Sequence, residues 1–237
     1  MRHWTKPAPE PVAGRPMVGL HRLELVLMAS AALATLTSAL GLLTLHFIFK
    51  PLTMLIAIVF VALRAYQSGT AKRFDALLAA ALTASLAGDV FLMLPGNYFI
   101  PGLASFLLAH LFYIALFRQG VAWFPSRRAV LTTLTVGAAM YAWVWGGLSD
   151  PVLKLAVAAY VSVIALMVAQ AIGRATVQGD AASKAVALGA CVFMLSDSLI
   201  AINRFVQPLP LVSLWVLSCY YLAQLLMVHN AQPQFAQ

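Results

Sequence analysis

Two aspartates stand where an apolar chain would normally have none. Ala87-Gly88-Asp89-Val90-Phe91-Leu92-Met93-Leu94-Pro95 holds one, and Leu195-Ser196-Asp197-Ser198-Leu199-Ile200-Ala201-Ile202-Asn203-Arg204-Phe205 holds the other. A charge at a bilayer centre costs about 2.5–3.5 kcal/mol even on forgiving insertion scales, so such residues face an interior and serve function. Two carboxyl groups in one pocket can share proton transfer. One is kept protonated by apolar surroundings, and the other is kept ionised by hydrogen bonds.

Other polar residues fall at the same depth. At 1.5 Å per residue, His110, Tyr220 and Tyr221 join Asp89 and Asp197 in one layer drawn from four spans. Ser85 is one turn before Asp89, Tyr113 is three residues after His110, and Gln224 is three after Tyr221, so each pair shares a helix face. Arg204 lies two turns beyond Asp197, towards the end of its span, beside Asn203. This spacing predicts a cavity between the third, fourth, seventh and eighth spans, with carboxylates in the middle and a cation near the mouth. Each residue also has a structural reading. The aspartates could glue helices together, His110 could be a satisfied interior histidine, and Arg204 could anchor at the interface.

The elements that would position these residues are transmembrane helices. The 237-residue chain is 62% hydrophobic and 9% charged, with a mean hydropathy of +0.90, whereas soluble domains carry about 25% charged residues. The fold class is therefore all-α and polytopic. Runs of about 20 apolar residues predict eight spans near 24–48, 51–67, 74–95, 101–118, 128–147, 152–173, 184–205 and 209–229. Residues 1–22, with Pro7, Pro9, Pro11 and Pro16, read as a disordered cytoplasmic tail. Residues 23–230 read as the transmembrane domain and 231–237 as a second tail. The net charge of +8 fits the positive-inside rule better than a nucleic-acid partner. Of the 15 Lys and Arg, only Lys50, Lys154 and Arg204 fall in outer segments when both termini are cytoplasmic. Cys191 and Cys219 both lie inside apolar runs, which argues against a disulfide framework. Asp89 and Asp197 are 108 residues apart, and the same offset lays Tyr113-Ile114-Ala115 on Tyr221-Leu222-Ala223. This raises a 4+4 parallel repeat.

Gly88-Asp89 closing the third span, Ala109-His110-Leu111-Phe112-Tyr113 in the fourth, and Ser196-Asp197-Ser198 with Asn203-Arg204-Phe205 in the seventh resemble the YhhN family of integral membrane proteins. The resemblance covers about residues 25–230. It implies eight helices in a membrane, expected to be a bacterial inner membrane. It also implies a lysoplasmalogenase, which hydrolyses the vinyl ether of a lysophospholipid to a fatty aldehyde and glycerophosphoethanolamine or glycerophosphocholine. No metal and no cofactor are expected, and the partners are the lysophospholipid and membrane lipid.

The chemistry suits two carboxyl groups. A vinyl ether yields to acid: protonation of the alkene carbon leaves an oxocarbenium ion, water adds, and the hemiacetal collapses. Glycosidases meet a similar cation with a carboxylic acid and a carboxylate. The neighbours in sequence suggest Asp89 as proton donor and Asp197, between Ser196 and Ser198, as the ionised partner, and they leave the reverse open. His110 and Tyr113 or Tyr221, with Ser196, Tyr220 and Gln224 nearby, would orient the carboxylates or the water. Arg204, beside Asn203, would hold the lipid phosphate. The rival reading is a proton-coupled transporter of lipids or small molecules that uses the same aspartates. A metal-dependent membrane hydrolase would need several histidines at one depth. His3, His21 and His229 lie near the tails, and His46 is expected near the outer end of the first span.

Overall fold

A computed structural model describes residues 19–68 and 72–231. The tail expected over 1–22 lies outside the described residues as far as residue 18, and the one expected over 231–237 does so from residue 232. The described residues form eight helices: α1 (Leu20–Ala39), α2 (Leu43–Ser68), α3 (Lys72–Met93), α4 (Phe99–Phe117), α5 (Arg127–Val144), α6 (Pro151–Gln178), α7 (Ala181–Phe205) and α8 (Val212–Asn230). A short 3-10 turn, Trp145–Gly147, follows α5. All eight helices are long and apolar enough to cross a membrane. Leu131 and Leu155, 70% and 73% exposed, typify the outward faces. In water such surfaces would demand partners, and in a bilayer lipid covers them. The protein is an integral membrane protein.

The helix ends follow local chemistry. Asp150 caps α6, accepting from the Val152 N–H at 3.2 Å, with Pro151 in the first turn, where its missing N–H does least harm. Gly179 closes the same helix in the left-handed region, at φ 73°. Asp180 caps α7 by accepting from the Ser183 N–H at 2.6 Å, and Ser126 caps α5 through the Ala129 N–H.

One boundary differs from expectation, and the difference matters. Pro51 was expected to separate the first two spans, but it lies inside α2. The break comes earlier, at Leu40–Leu42, where Gly41 takes φ 71°. A proline inside a helix removes one hydrogen bond, and transmembrane helices tolerate this when neighbours absorb the strain. Two residues move as a result. His46 belongs to the first turn of α2, and Lys50, expected in an outer segment, sits inside α2 with 8% exposure.

Consecutive helices pack as antiparallel neighbours. The exception is α5, which is skipped in the ring: α4 packs on α6, and α8 closes back onto α1. Seven helices thus surround the interior in the order α1, α2, α3, α4, α6, α7, α8. Outside it, α5 leans on α6 and, more lightly, on α7. The two halves match in their consecutive contacts but differ in closure, since α4 meets α6 whereas its counterpart α8 meets α1. The contacts therefore do not establish the 4+4 repeat. At the end holding the chain termini, Arg64 donates to Asp75 at 3.0 Å and to the Val228 carbonyl at 2.8 Å, tying α2, α3 and α8 together. Gln170 and Arg174 on α6 bond to the main chain of the α4–α5 connection. The polar layer lies towards the opposite end.

Candidate functional site

Asp89 occupies the last turns of α3. Its approach to α4 depends on Gly88, where a Cβ would lie 2.5 Å from the Phe106 ring. Small residues let transmembrane helices meet this closely. The Asp89 side chain is buried, at 2% exposure, yet both oxygens have partners. Lys50 Nζ is 3.1 Å from Oδ1. The Tyr220 hydroxyl donates to Oδ2 at 2.7 Å and lies 3.3 Å from Met54 Sδ. A buried carboxylate beside an ammonium is an ion pair, because either charge alone would pay the full desolvation cost.

Asp197, on α7, has a different environment. The Tyr160 hydroxyl from α6 donates to its Oδ2 in a short hydrogen bond. His110 Nε2 on α4 is 3.9 Å from the same oxygen, beyond hydrogen-bond reach. The imidazole is fully buried and packs edge-on against Tyr160 and Phe193, at centroid distances of 5.3 and 5.0 Å. Among the described residues no Lys or Arg pairs with Asp197. Nor do the flanking serines solvate it, because Ser196 donates to the Val216 carbonyl and Ser198 to the Met194 carbonyl.

The two carboxyl groups lie in different surroundings. Asp197, Tyr160 and Ser198 line an apolar cavity with about 670 Å³ of empty space, walled by α3 to α7. Lys50, in front of Asp89, lines a second cavity of about 960 Å³ with His46, Asn203, Arg204, Ser38 and Ser213. Leu92, Phe99 and Ile200 border both cavities. The single cavity expected from spacing is thus two adjoining ones, a polar vestibule and an apolar chamber, with Asp197 lining the chamber and Asp89 set behind Lys50 of the vestibule. A molecule with a polar head and an apolar tail can span the pair with its middle at the partition.

The remaining expected residues divide. Tyr220 reaches Asp89, and His110 lies near Asp197. Tyr113 does not orient either aspartate: its hydroxyl donates to Gln224 Oε1 at 2.6 Å, and its ring stacks on Phe117. Tyr221 and Gln224 border a small void of about 230 Å³ beside Thr53 and Met54. Asn203 accepts from the Leu209 N–H at 2.9 Å and so shapes the α7–α8 turn. The Arg204 guanidinium lies over the Phe99 ring at 4.1 Å and lines the vestibule. Sequence reasoning missed Lys50 and Tyr160. Lys50 was hidden by the proline beside it, which reads as a helix boundary. Tyr160 carried one available signal, a phenol in the middle of an apolar span.

The family model described as the YhhN family matches residues 45–231. The chain belongs to the YhhN family. The match leaves α1 outside and contains Lys50, Asp89, His110, Tyr160, Asp197, Arg204 and Tyr220. The chain is 34% identical to human lysoplasmalogenase TMEM86B over 158 residues, 67% of this chain and 64% of that one. The pig protein of the same name is 35% identical over 177 residues, covering 75% and 71% of the two chains. The Mycobacterium tuberculosis protein named lysoplasmalogenase is 33% identical over 151 residues, covering 60% and 54%. This chain therefore spans somewhat under two thirds of the human relative and about half of the mycobacterial one. No solved structure matches it.

Proposed function

We propose that this protein is a lysoplasmalogenase, a membrane hydrolase that cleaves the vinyl ether of a lysophospholipid to a fatty aldehyde and a glycerophospho-alcohol. The observation that carries this reading is a pair of buried carboxyl groups in different settings, Asp197 lining the apolar chamber and Asp89 ion-paired to the Lys50 that lines the adjoining polar vestibule. The names of the relatives support it. They lend nothing to the transporter alternative.

The roles run opposite to those the flanking residues suggested. Asp197, with no cation beside it, is the general acid; Asp89, held by Lys50 and Tyr220, is the ionised partner. The alkenyl chain lies in the chamber with its double bond at Asp197. Asp197 gives its proton to the alkene carbon, and the ether oxygen shares its electrons to form the oxocarbenium ion. Water adds to the cationic carbon and its surplus proton passes to Asp89. When the hemiacetal collapses, its hydroxyl proton returns to Asp197 and the proton held by Asp89 goes to the departing alkoxide. One water is consumed and both carboxyl groups are restored. Tyr160 fixes the acid, and His110 confines it from the other side. Arg204 meets the head group in the vestibule. The same reading puts the chain in a bacterial inner membrane with cytoplasmic termini and the vestibule on the far side.

The test is direct. Purified protein is incubated with a lysoplasmalogen while free aldehyde is measured, beside an ester-linked lysolipid of the same chain. Aldehyde from the first and no hydrolysis of the second is expected. Absence of aldehyde refutes the proposal.

A further inference from the structure

Lys50 has two faces. Its ammonium is 3.1 Å from Asp89 Oδ1, yet the same side chain lines the vestibule with Arg204 and His46. Among the described residues no carboxylate lines that vestibule; the one near it, Asp89, lies behind Lys50. The charge that such a surface receives is an anion. The Arg204 guanidinium is also free of carboxylate partners among the described residues and is held over the rings of Phe99 and Phe205, at 4.1 and 5.7 Å. Phe99 belongs to the partition as well. An anionic group at Arg204 and Lys50 would therefore sit one short step from the carboxylate that must act on water.

We propose that Lys50 is a positioning residue switched by phosphate. It clamps Asp89, and the phosphodiester of a bound lysolipid draws it into the vestibule and frees Asp89 to take a proton from water. The inference rests on the hydrolase reading above and adds to it the group on the substrate that turns the site on. A carboxylate paired with an ammonium keeps lone pairs for water but is a weaker base, because the cation favours its ionised form. The ammonium cannot simply leave, because an unpaired charge of either sign is costly in this interior. An incoming phosphate removes the difficulty for the ammonium, since Lys50 exchanges one anion for another; Asp89, oriented by Tyr220 alone, becomes the stronger base and relieves its unpaired charge by taking the proton from water. Lysine suits this task better than arginine, since its point charge rides on a flexible stem with three donors. Phosphate binding, remote from the bond being broken, is then expressed as turnover and not as affinity alone.

The experiment uses the whole protein in detergent and two substrates with the same alkenyl chain, a lysoplasmalogen and the 1-alkenylglycerol that lacks the phosphate. The wild-type protein is expected to release aldehyde from the alkenylglycerol with a kcat on the order of 100-fold lower. Inorganic phosphate or glycerol 3-phosphate added in trans should restore about a tenth of the loss or more, with saturation. In Lys50→Gln the two substrates should be cleaved at similar rates and added phosphate should do nothing. Equal kcat on both substrates in the wild-type protein overturns the proposal, and that comparison needs no variant. Activation by phosphate that persists in Lys50→Gln overturns it too. No aldehyde from the lysoplasmalogen itself refutes the hydrolase reading instead.

Discussion

The ion pair between Lys50 and Asp89 predicts a specific pattern of stability. The two side chains are 10% and 3% exposed, and their atoms are 3.1 Å apart. Removing one member of a buried pair leaves the other charge in a poor solvent and costs about 3–5 kcal/mol, whereas replacing both by apolar groups of similar volume is close to neutral. Lys50→Met and Asp89→Leu should therefore each destabilise the protein by about 3–5 kcal/mol. At 2–4 °C per kcal/mol for a chain of this size, Tm should fall by roughly 6–20 °C. The double variant should recover most of that loss, with a coupling energy of about 3 kcal/mol or more. Tm and denaturant midpoints in a single detergent give the cycle. Additive effects of the two substitutions, with the double variant the least stable of all, would refute the ion-pair reasoning. The same arithmetic bears on any test of Asp89 in catalysis. Asp89→Asn strands the ammonium, so its activity is interpretable only beside its Tm.

Asp197→Asn removes the acid without stranding a cation, so it should abolish aldehyde release while Tm changes by only a few degrees; measurable turnover would demote Asp197. Tyr160→Phe deletes the one hydroxyl that holds Asp197. Asp197 becomes a carboxylate as it gives up its proton, and losing a hydrogen bond to that developing charge costs about 1.5–3 kcal/mol, so kcat should fall roughly 10- to 150-fold with KM little changed, and a shift in KM alone would make Tyr160 a binding residue. Gly88→Ala pushes a Cβ to 2.5 Å from the Phe106 ring. Overpacking of that kind costs about 1–3 kcal/mol, and an unchanged Tm would mean that α3 and α4 part more easily than their packing suggests.

What the sequence determined by itself was the solvent of this protein and the axial position of its chemistry. Eight apolar runs had to become helices, because a backbone in hydrocarbon must satisfy its hydrogen bonds within each segment. Counting residues along those runs placed Asp89, Asp197, His110 and Tyr220 in one layer, and the structure clusters them there. The family resemblance rested on the motifs around Asp89, His110 and Asp197, and the family match contains them. Rotation about each helix axis, and which helices become neighbours, came only from tertiary packing. Ser196 and Ser198 flank Asp197 in the chain, but each spends its proton on a main-chain carbonyl; the phenol that reaches the carboxyl comes from α6, 37 residues away. Lys50 is the sharpest case. Beside Pro51 it reads as a loop cation, because proline costs a helix one hydrogen bond and is favoured at boundaries. The turn at Gly41 instead lets α2 begin eight residues earlier, and packing against α3 turns the ammonium onto Asp89. Hydropathy fixes how deep a residue lies, but only the packed bundle decides what it faces.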